Sequence, residues 1–500
     1  MSKFSEAINA NSKFTTTING AIALNTTDSC VFDLFAQGGA MRQWDSNAIE
    51  RTFVKAFSED ALLTMKCLFY IRNIRGGLGE RRTFRIGLKY LATVHPEAVK
   101  KNIVCVPLFG RWDDLYTLID TEVEKDMWEL IRTNWKADLE NLENGKPISI
   151  MAKWLASVDA SSKETVRNAR ATAKALVLSY KQYRQTLSKL REKLNIVERN
   201  LCGNTICKIN YSAVPSRAAM IYRNVFLRKD TTRYSEFINQ VKEGKTTINA
   251  SALYPYDILE KMNKKEYGNG FSLDTIVYDE TLEQLWRSLP DYVDMEKTND
   301  VLIMADTSGS MEMYANGRPM ATSIGLAIYF AERNKGAFQK QFITFSSRPK
   351  LVTISGNTLY EKVKSIEEII ENTNLEAALQ LVLDIAIDYK LDQCELPKSI
   401  VIITDMQFDE ASKNSANHNT LYQEMANRYA AAGYTMPNIV FWNVNSPKMT
   451  FQASSNFRGV QMVSGQTPAA FQTVLNCIGK TPYEAMLDTL NCPTYDCVQI

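Results

Sequence analysis

The sequence predicts a multi-domain chain in which an all-α helical-repeat array precedes an α/β domain. Three observations lead there. The 500 residues exceed the roughly 250–300 at which one hydrophobic core stops growing. From about residue 47 to 290 the apolar residues recur at helical spacing,. After Leu289-Pro290, apolar runs of strand length alternate with helical patterns, which is the grammar of a parallel sheet with helices on both faces.

In chain order, Ala61 to Ile71 and Thr83 to Leu91 read as short amphipathic helices separated by the breaker Gly76-Gly77-Leu78-Gly79,. Tight turns between such helices suit a helical-repeat array, although no strict period is present. One long polar helix is expected over roughly 163 to 200, Pro215 interrupts the next segment, and a further helix is expected near 255 to 265. A new domain starts near 297. Strands are expected at Asp300 to Ala305, Gln341 to Phe345, Ser399 to Thr404, Asn438 to Asn443 and Val460 to Val463. Helices are expected between them at Ala321 to Arg333, Leu375 to Tyr389 and Leu421 to Ala432. In open sheets of this kind ligands sit outside the carboxyl ends of the strands, so the loops after Ala305 and Thr404 are the places to look.

With 45% hydrophobic and 23% charged residues the chain has an ordinary globular composition,. Its formal charge of +2 hides a gradient. Residues 1 to 300 carry 43 Lys+Arg against 37 Asp+Glu, and the remainder carries 15 against 19. Residues 151 to 250 alone hold 19 basic and 7 acidic side chains. Such an excess either solvates helices or binds a polyanion. Only His95 and His418 are present, which disfavours Ser-His-Asp, His-rich zinc and His acid/base chemistry. The nine cysteines form no C-x-x-C pair and read as reduced intracellular thiols. No run of about 18 apolar residues and no basic-then-apolar leader occurs, so a cytoplasmic protein with no membrane partner is expected.

Asp306, Ser308 and Ser310 stand at i, i+2 and i+4 on the loop after the first strand, and Asp405 follows another strand. Oxygen-only donors of this kind suit a hard divalent ion such as Mg2+. Arg72, Arg75, Arg81, Arg82 and Arg85 form a dense cationic turn and helix start around a Gly-rich bend that lets backbone approach phosphate. The bend lacks the G-K-[ST] ending of a phosphate loop, so nucleotide hydrolysis is not expected. Lys163 and Arg167 share a helix face, as do Arg167, Arg170 and Lys174. Arg217 and Arg223 follow among Tyr211, Tyr222 and Tyr234, and interleaved arginine and tyrosine suit single strands. Trp112-Asp113-Asp114 reads as an acidic helix N-terminus rather than a catalytic pair, because adjacent helical residues do not face one another.

The string DTSGSM at 306–311 resembles the D-x-S-x-S metal-ion-dependent adhesion site of von Willebrand factor A domains. That resemblance implies a site of Asp306, Ser308, Ser310, Thr373 and Asp405, with Asn374 or Thr344 as alternatives to Thr373, and an open metal position for an acidic partner group. Two positions depart from the pattern: the second loop lacks a Gly before its Thr, and Met406 stands where many members have Gly. The strings IRNIRGGLGERRTFRIGLKYLA (71–92), PLFGRWDDLYTLI (107–119), VPSRA (214–218) and INASALYPYDIL (248–259) resemble the TROVE module of Ro autoantigen-like proteins. The likeness spans nearly the whole chain, including the module order. It implies a HEAT-like solenoid that closes into a ring with a von Willebrand-type, Rossmann-like α/β domain and binds single-stranded RNA ends or small structured RNAs.

The expected layout is therefore a TROVE-like helical module at 1–295, a metal-binding α/β domain at 296–479, and a C-terminal helix and tail at 480–500 packing on the helical module. The expected function is non-catalytic RNA binding in a cytoplasmic ribonucleoprotein, through Arg72, Arg75, Arg81, Arg82, Arg85, Lys163, Arg167, Arg170, Lys174, Arg217 and Arg223. The competing expectation is an Mg2+-dependent scaffold that captures an acidic residue of a protein partner. An enzyme is not expected, because no general base accompanies the metal loop.

Overall fold

The computed structural model describes residues 13–264, 270–292, 300–313, 315–345, 349–366, 374–409, 421–470 and 479–500. The first half is helical, apart from an antiparallel hairpin of β1 (Phe14–Thr16) and β2 (Ile22–Leu24). The second half is α/β around a six-stranded sheet.

Side-chain caps punctuate the helical half. Asp45 and Asp60 accept from Ala48 N and Leu63 N and start the helices Ser46–Glu59 and Ala61–Arg72, satisfying donors that a helix start leaves open. The single helix expected over 163 to 200 is instead three: Lys163–Ala175, Tyr180–Lys193 and Val197–Cys202. Val177 (φ 57°) and Asn195 (φ 48°) turn left-handed at the two breaks. Ser179 and Gln182 form a capping box that restarts the chain,. Pro215 precedes the helix Ser216–Lys229, and Pro255 opens the helix Pro255–Met262,.

In the second half the strands are β3 (Val301–Asp306), β4 (Gln341–Phe345), β5 (Lys350–Thr353), β6 (Ser399–Thr404), β7 (Asn438–Asn443) and β8 (Val460–Ser464). They lie in the order β5-β4-β3-β6-β7-β8, all parallel except the β4–β5 pair. Every residue of β3 and β6 is buried, as expected of strands covered on both faces. The order reverses between β3 and β6, which opens a crevice at their carboxyl ends.

The helical half grips this sheet from two sides. One apolar core runs from Ala21 to Leu190 and continues into Met304, Ile402 and Phe441. The other runs from Val197 to Leu289 and continues into Ile303, Ile403 and Trp442 on the opposite sheet face. The helix Cys30–Gln37 packs on edge strand β8 and covers it,. There Gly39 lies so near Gly465 that a Cβ would meet its backbone at 2.6 Å. The helix Pro255–Met262 packs on Arg318–Arg333. The C-terminal helix Pro482–Leu490 packs on Cys30–Gln37, Ala61–Arg72 and β8.

Candidate functional site

Two regions hold the residues singled out above. The first is the crevice at the ends of β3 and β6. Asp306 closes β3 and is fully buried. Its Oδ1 accepts from Ser308 N at 2.9 Å and its Oδ2 from the Thr404 hydroxyl at 2.7 Å. The Ser308 and Ser310 hydroxyls are 3.1 Å apart. Asp405 is buried beside them, with Oδ1 accepting from Gln407 N at 3.1 Å, while its Oδ2 is buried without a hydrogen-bond partner. Burial pushes the Asp306 carboxyl up. Burial, and then the charge of Asp306, push Asp405 up as well. Two carboxylates in one dry pocket resist joint ionisation, and a cation between them would remove that penalty.

Met406 takes a left-handed conformation (φ 64°), where Gly would be free of strain. Its amide donates to Thr404 Oγ1 at 3.1 Å and its side chain is buried. The β1–β2 hairpin braces this loop: Thr17 Oγ1 donates to Phe408 O at 2.6 Å, and Asn19 Nδ2 donates to Gln407 O at 2.8 Å and Asp409 Oδ1 at 3.0 Å. Thr373 lies outside the described residues. Of its two alternatives, Asn374 uses its side-chain oxygen to cap Leu375–Asp388 by accepting from Ala377 N. Thr344 is buried on β4, in register with Ala305. Among the described residues no three His, Cys, Asp or Glu side chains form a metal cluster. A cation here would therefore depend on the two carboxylates together with hydroxyls and water. An oxygen-only donor set with one orphaned carboxylate oxygen fits a hard divalent ion. Thr404 and Gln407 are part of the site but stand out in no sequence pattern, since each is an ordinary residue at a strand end.

The second region is the basic surface of the helical half, where the predicted arginines divide. Arg72 is a correction: its side chain is only 2% exposed and pairs with the fully buried Asp114, Nε donating to Oδ2 at 2.8 Å. It is a structural cation rather than a surface one. Arg85 donates to the other oxygen of Asp114 at 2.7 Å and to Asp113 at 3.1 Å, and Arg81 pairs with Asp113 at 2.7 Å. The Trp112-Asp113-Asp114 carboxylates thus anchor three arginines on a 3-10 helix, Trp112–Leu118. Arg223 is a second correction, with 11% of its side chain exposed and Nε donating to Asp279 at 2.6 Å. Arg75, Arg81, Arg82, Lys163, Arg167, Arg170, Lys174 and Arg217 are exposed. Arg82 donates to Arg42 O, Arg170 lies over the Tyr180 ring at 5.8 Å, and Arg217 pairs with Asp257 at 3.1 Å.

Distant segments meet around two adjoining cavities. One, of about 530 Å3, is rimmed by Arg81, Arg85, Lys89 and Arg167, interspersed with Asp113, Asp120 and Glu164. The other, of about 770 Å3, lies at the seam between the two apolar cores and is rimmed by Lys153, Arg184, Arg191, Arg199 and Arg217, against only Asp159 and Glu198. Trp154 and Ser157 line both. Trp154 belongs to no sequence motif, and Arg199 is one undistinguished member of the basic stretch 151 to 250.

Comparison with known proteins matches the two halves of the chain to two different family models. The family described as Domain of unknown function (DUF2828) matches residues 17–144 and 133–297. Residues 300–489 match one described as Domain of unknown function (DUF7788). The chain is also similar to "Uncharacterized protein L728" of Acanthamoeba polyphaga mimivirus, 28% identical over 520 residues that cover 96% of this chain and 87% of that protein. Among the described residues no helix is long and apolar enough to cross a membrane.

Proposed function

We propose that this chain, which belongs to the DUF2828 family, is a non-catalytic RNA-binding protein of a cytoplasmic ribonucleoprotein. The observation that carries the reading is the convergence of arginines from distant segments: Arg81 and Arg85, Arg167, Arg184 and Arg199, and Arg217 rim two cavities that share a wall. A cationic track with aromatic walls matches what a single strand needs, neutralised phosphates and a stacking face. The resemblance to the TROVE module adds single-stranded ends or small structured RNAs as ligands. In support of a HEAT-like ring, Tyr254, late in the helical half, lies so near Gly79, early in it, that a Cβ there would come within 2.4 Å of the tyrosine Oη.

In this reading Asp306, Ser308, Ser310 and Asp405, with Thr373, hold Mg2+ or another divalent cation. When bound, the ion would supply an open coordination point for an acidic group. The orphaned Oδ2 of Asp405 favours a second reading on the same site, an Mg2+-dependent scaffold for an acidic protein partner. A pulldown treated with nuclease separates the two, since an RNA-mediated complex is lost and a protein complex survives. For the leading reading, the double variant Arg81→Glu/Arg167→Glu is expected to weaken binding of a fluorescein-labelled U12 oligoribonucleotide at least tenfold in anisotropy titrations. Unchanged affinity would sink the basic track as the contact surface.

A further inference from the structure

The two cavities meet at one indole, Trp154, which packs against the edge of the first apolar core. The larger cavity lies where the first apolar core ends at Leu190 and the second begins at Val197. Its floor is apolar, formed by Val158, Leu187, Ile196 and Ile221. Trp154, at the end of the short helix Met151–Trp154, forms part of the wall toward the smaller cavity. The Arg111 guanidinium lies 4.3 Å from its ring centroid and the Lys153 ammonium 5.3 Å.

The backbone on both sides of Trp154 is pinned. Arg191 donates from Nε to Ala152 O at 2.9 Å, from Nη2 to Leu155 O at 2.7 Å and from Nη1 to Ser157 Oγ at 2.7 Å. Tyr183 Oη donates to Ala156 O at 2.7 Å, and Tyr116 Oη accepts from Ala156 N at 3.1 Å. An indole whose flanking backbone is held this way, at the wall between a cation-rich cavity and one of mixed charge, is preorganised for stacking, and little ordering remains to be done when a flat ligand arrives.

We propose that the two cavities form one track for adjoining nucleotides of a single strand, with a base stacked on Trp154 and its flanking phosphates on the arginines of either rim. This rests on the RNA-binding reading above and adds the place where a base is held. Arg191 is the positioning residue: it touches the wall and not the base. A free nucleotide presents the same base and phosphate chemistry, so the test carries an arm for each source.

The experiment uses the full chain. A U12 oligoribonucleotide with 5-iodouridine at its centre is irradiated on the protein and the adduct is mapped by mass spectrometry, while anisotropy compares wild type, Trp154→Phe and Trp154→Leu, and uridine monophosphate is added as competitor. Stacking of one base is worth about 1–3 kcal/mol, so Trp154→Leu is expected to lose about 5- to 150-fold in affinity with its salt dependence intact. Trp154→Phe should stay near wild type, and the adduct should fall on Trp154. If the oligonucleotide binds with steep salt dependence but Trp154→Leu matches wild type and the adduct lies elsewhere, this inference fails and RNA binding stands. If uridine monophosphate displaces the strand at equal concentration, the occupant is a free nucleotide and the strand track is wrong. If no oligonucleotide binds, both readings fall. Should Trp154→Leu not fold, the adduct position and Trp154→Phe still decide.

Discussion

Arg72 and Asp114 lie 42 residues apart and meet almost fully buried. Removing one partner leaves a buried charge, at a cost of about 3–5 kcal/mol. Asp114 keeps Arg85 and the Arg111 amide, which donates at 3.0 Å, so Arg72→Ala is expected at the lower end, about 3 kcal/mol, in urea unfolding. The same residue shows the limit of sequence reading. A run of arginines declares charge but not partner, and nothing in the string marks Arg72 as facing inward and Arg75 as facing out. The clustering of Asp306, Ser308 and Ser310 was legible for the opposite reason, since they are neighbours in the chain and their spacing survives folding. The pH behaviour of the loop follows from burial. Burial, and for Asp405 the neighbouring Asp306 charge, hold both carboxyls above their ordinary range. As pH rises from the ordinary carboxyl range the folded state therefore holds more protons than the unfolded one, and the metal-free protein loses stability until both groups have ionised. In EDTA the melting temperature should fall from pH 5 to pH 8. Mg2+ should raise it at pH 8 in wild type and not in Asp405→Asn, and an equal Mg2+ effect in both would remove Asp405 from the site.

At the scale of elements, the seam between the helical half and the sheet is made by close backbone contact. Gly39 meets Gly465 where Cys30–Gln37 covers β8, and a methyl group there has no flexible side chain to displace. Gly39→Ala is expected to cost about 1–3 kcal/mol, the usual range for overpacking, read as a lower urea midpoint with unchanged slope. An unaffected midpoint would show that the seam is looser than described. The strands of this half were readable because parallel strands buried on both faces are continuous apolar runs. β5 and the β1–β2 hairpin were not, because each is three or four residues long and partly exposed. The expected helix over 163 to 200 split because its breaks use Val177 and Asn195 in left-handed conformation rather than Gly or Pro, so no breaker residue announced them.

At the scale of the whole molecule, the helical half is divided between the two faces of the α/β half, and each apolar core runs through both. The charge gradient has a place in this arrangement. Part of the basic excess of residues 151 to 250, namely Lys153, Arg184, Arg191, Arg199 and Arg217, lines the cavity at the seam where the helical chain passes from one core to the other, and Arg81, Arg85 and Arg167 line the adjoining one. That a basic stretch exists was evident from counting. That it encloses two cavities with an indole between them depends on contacts across more than a hundred residues, which no local pattern encodes. The most direct test is the affinity of the full chain for a fluorescein-labelled U12 oligoribonucleotide between 50 and 200 mM KCl. Four neutralised phosphates on a single strand give a loss of about 50-fold over that range, and this is the expected result. Absence of binding, or an affinity flat across the range, would contradict RNA recognition by the cationic track.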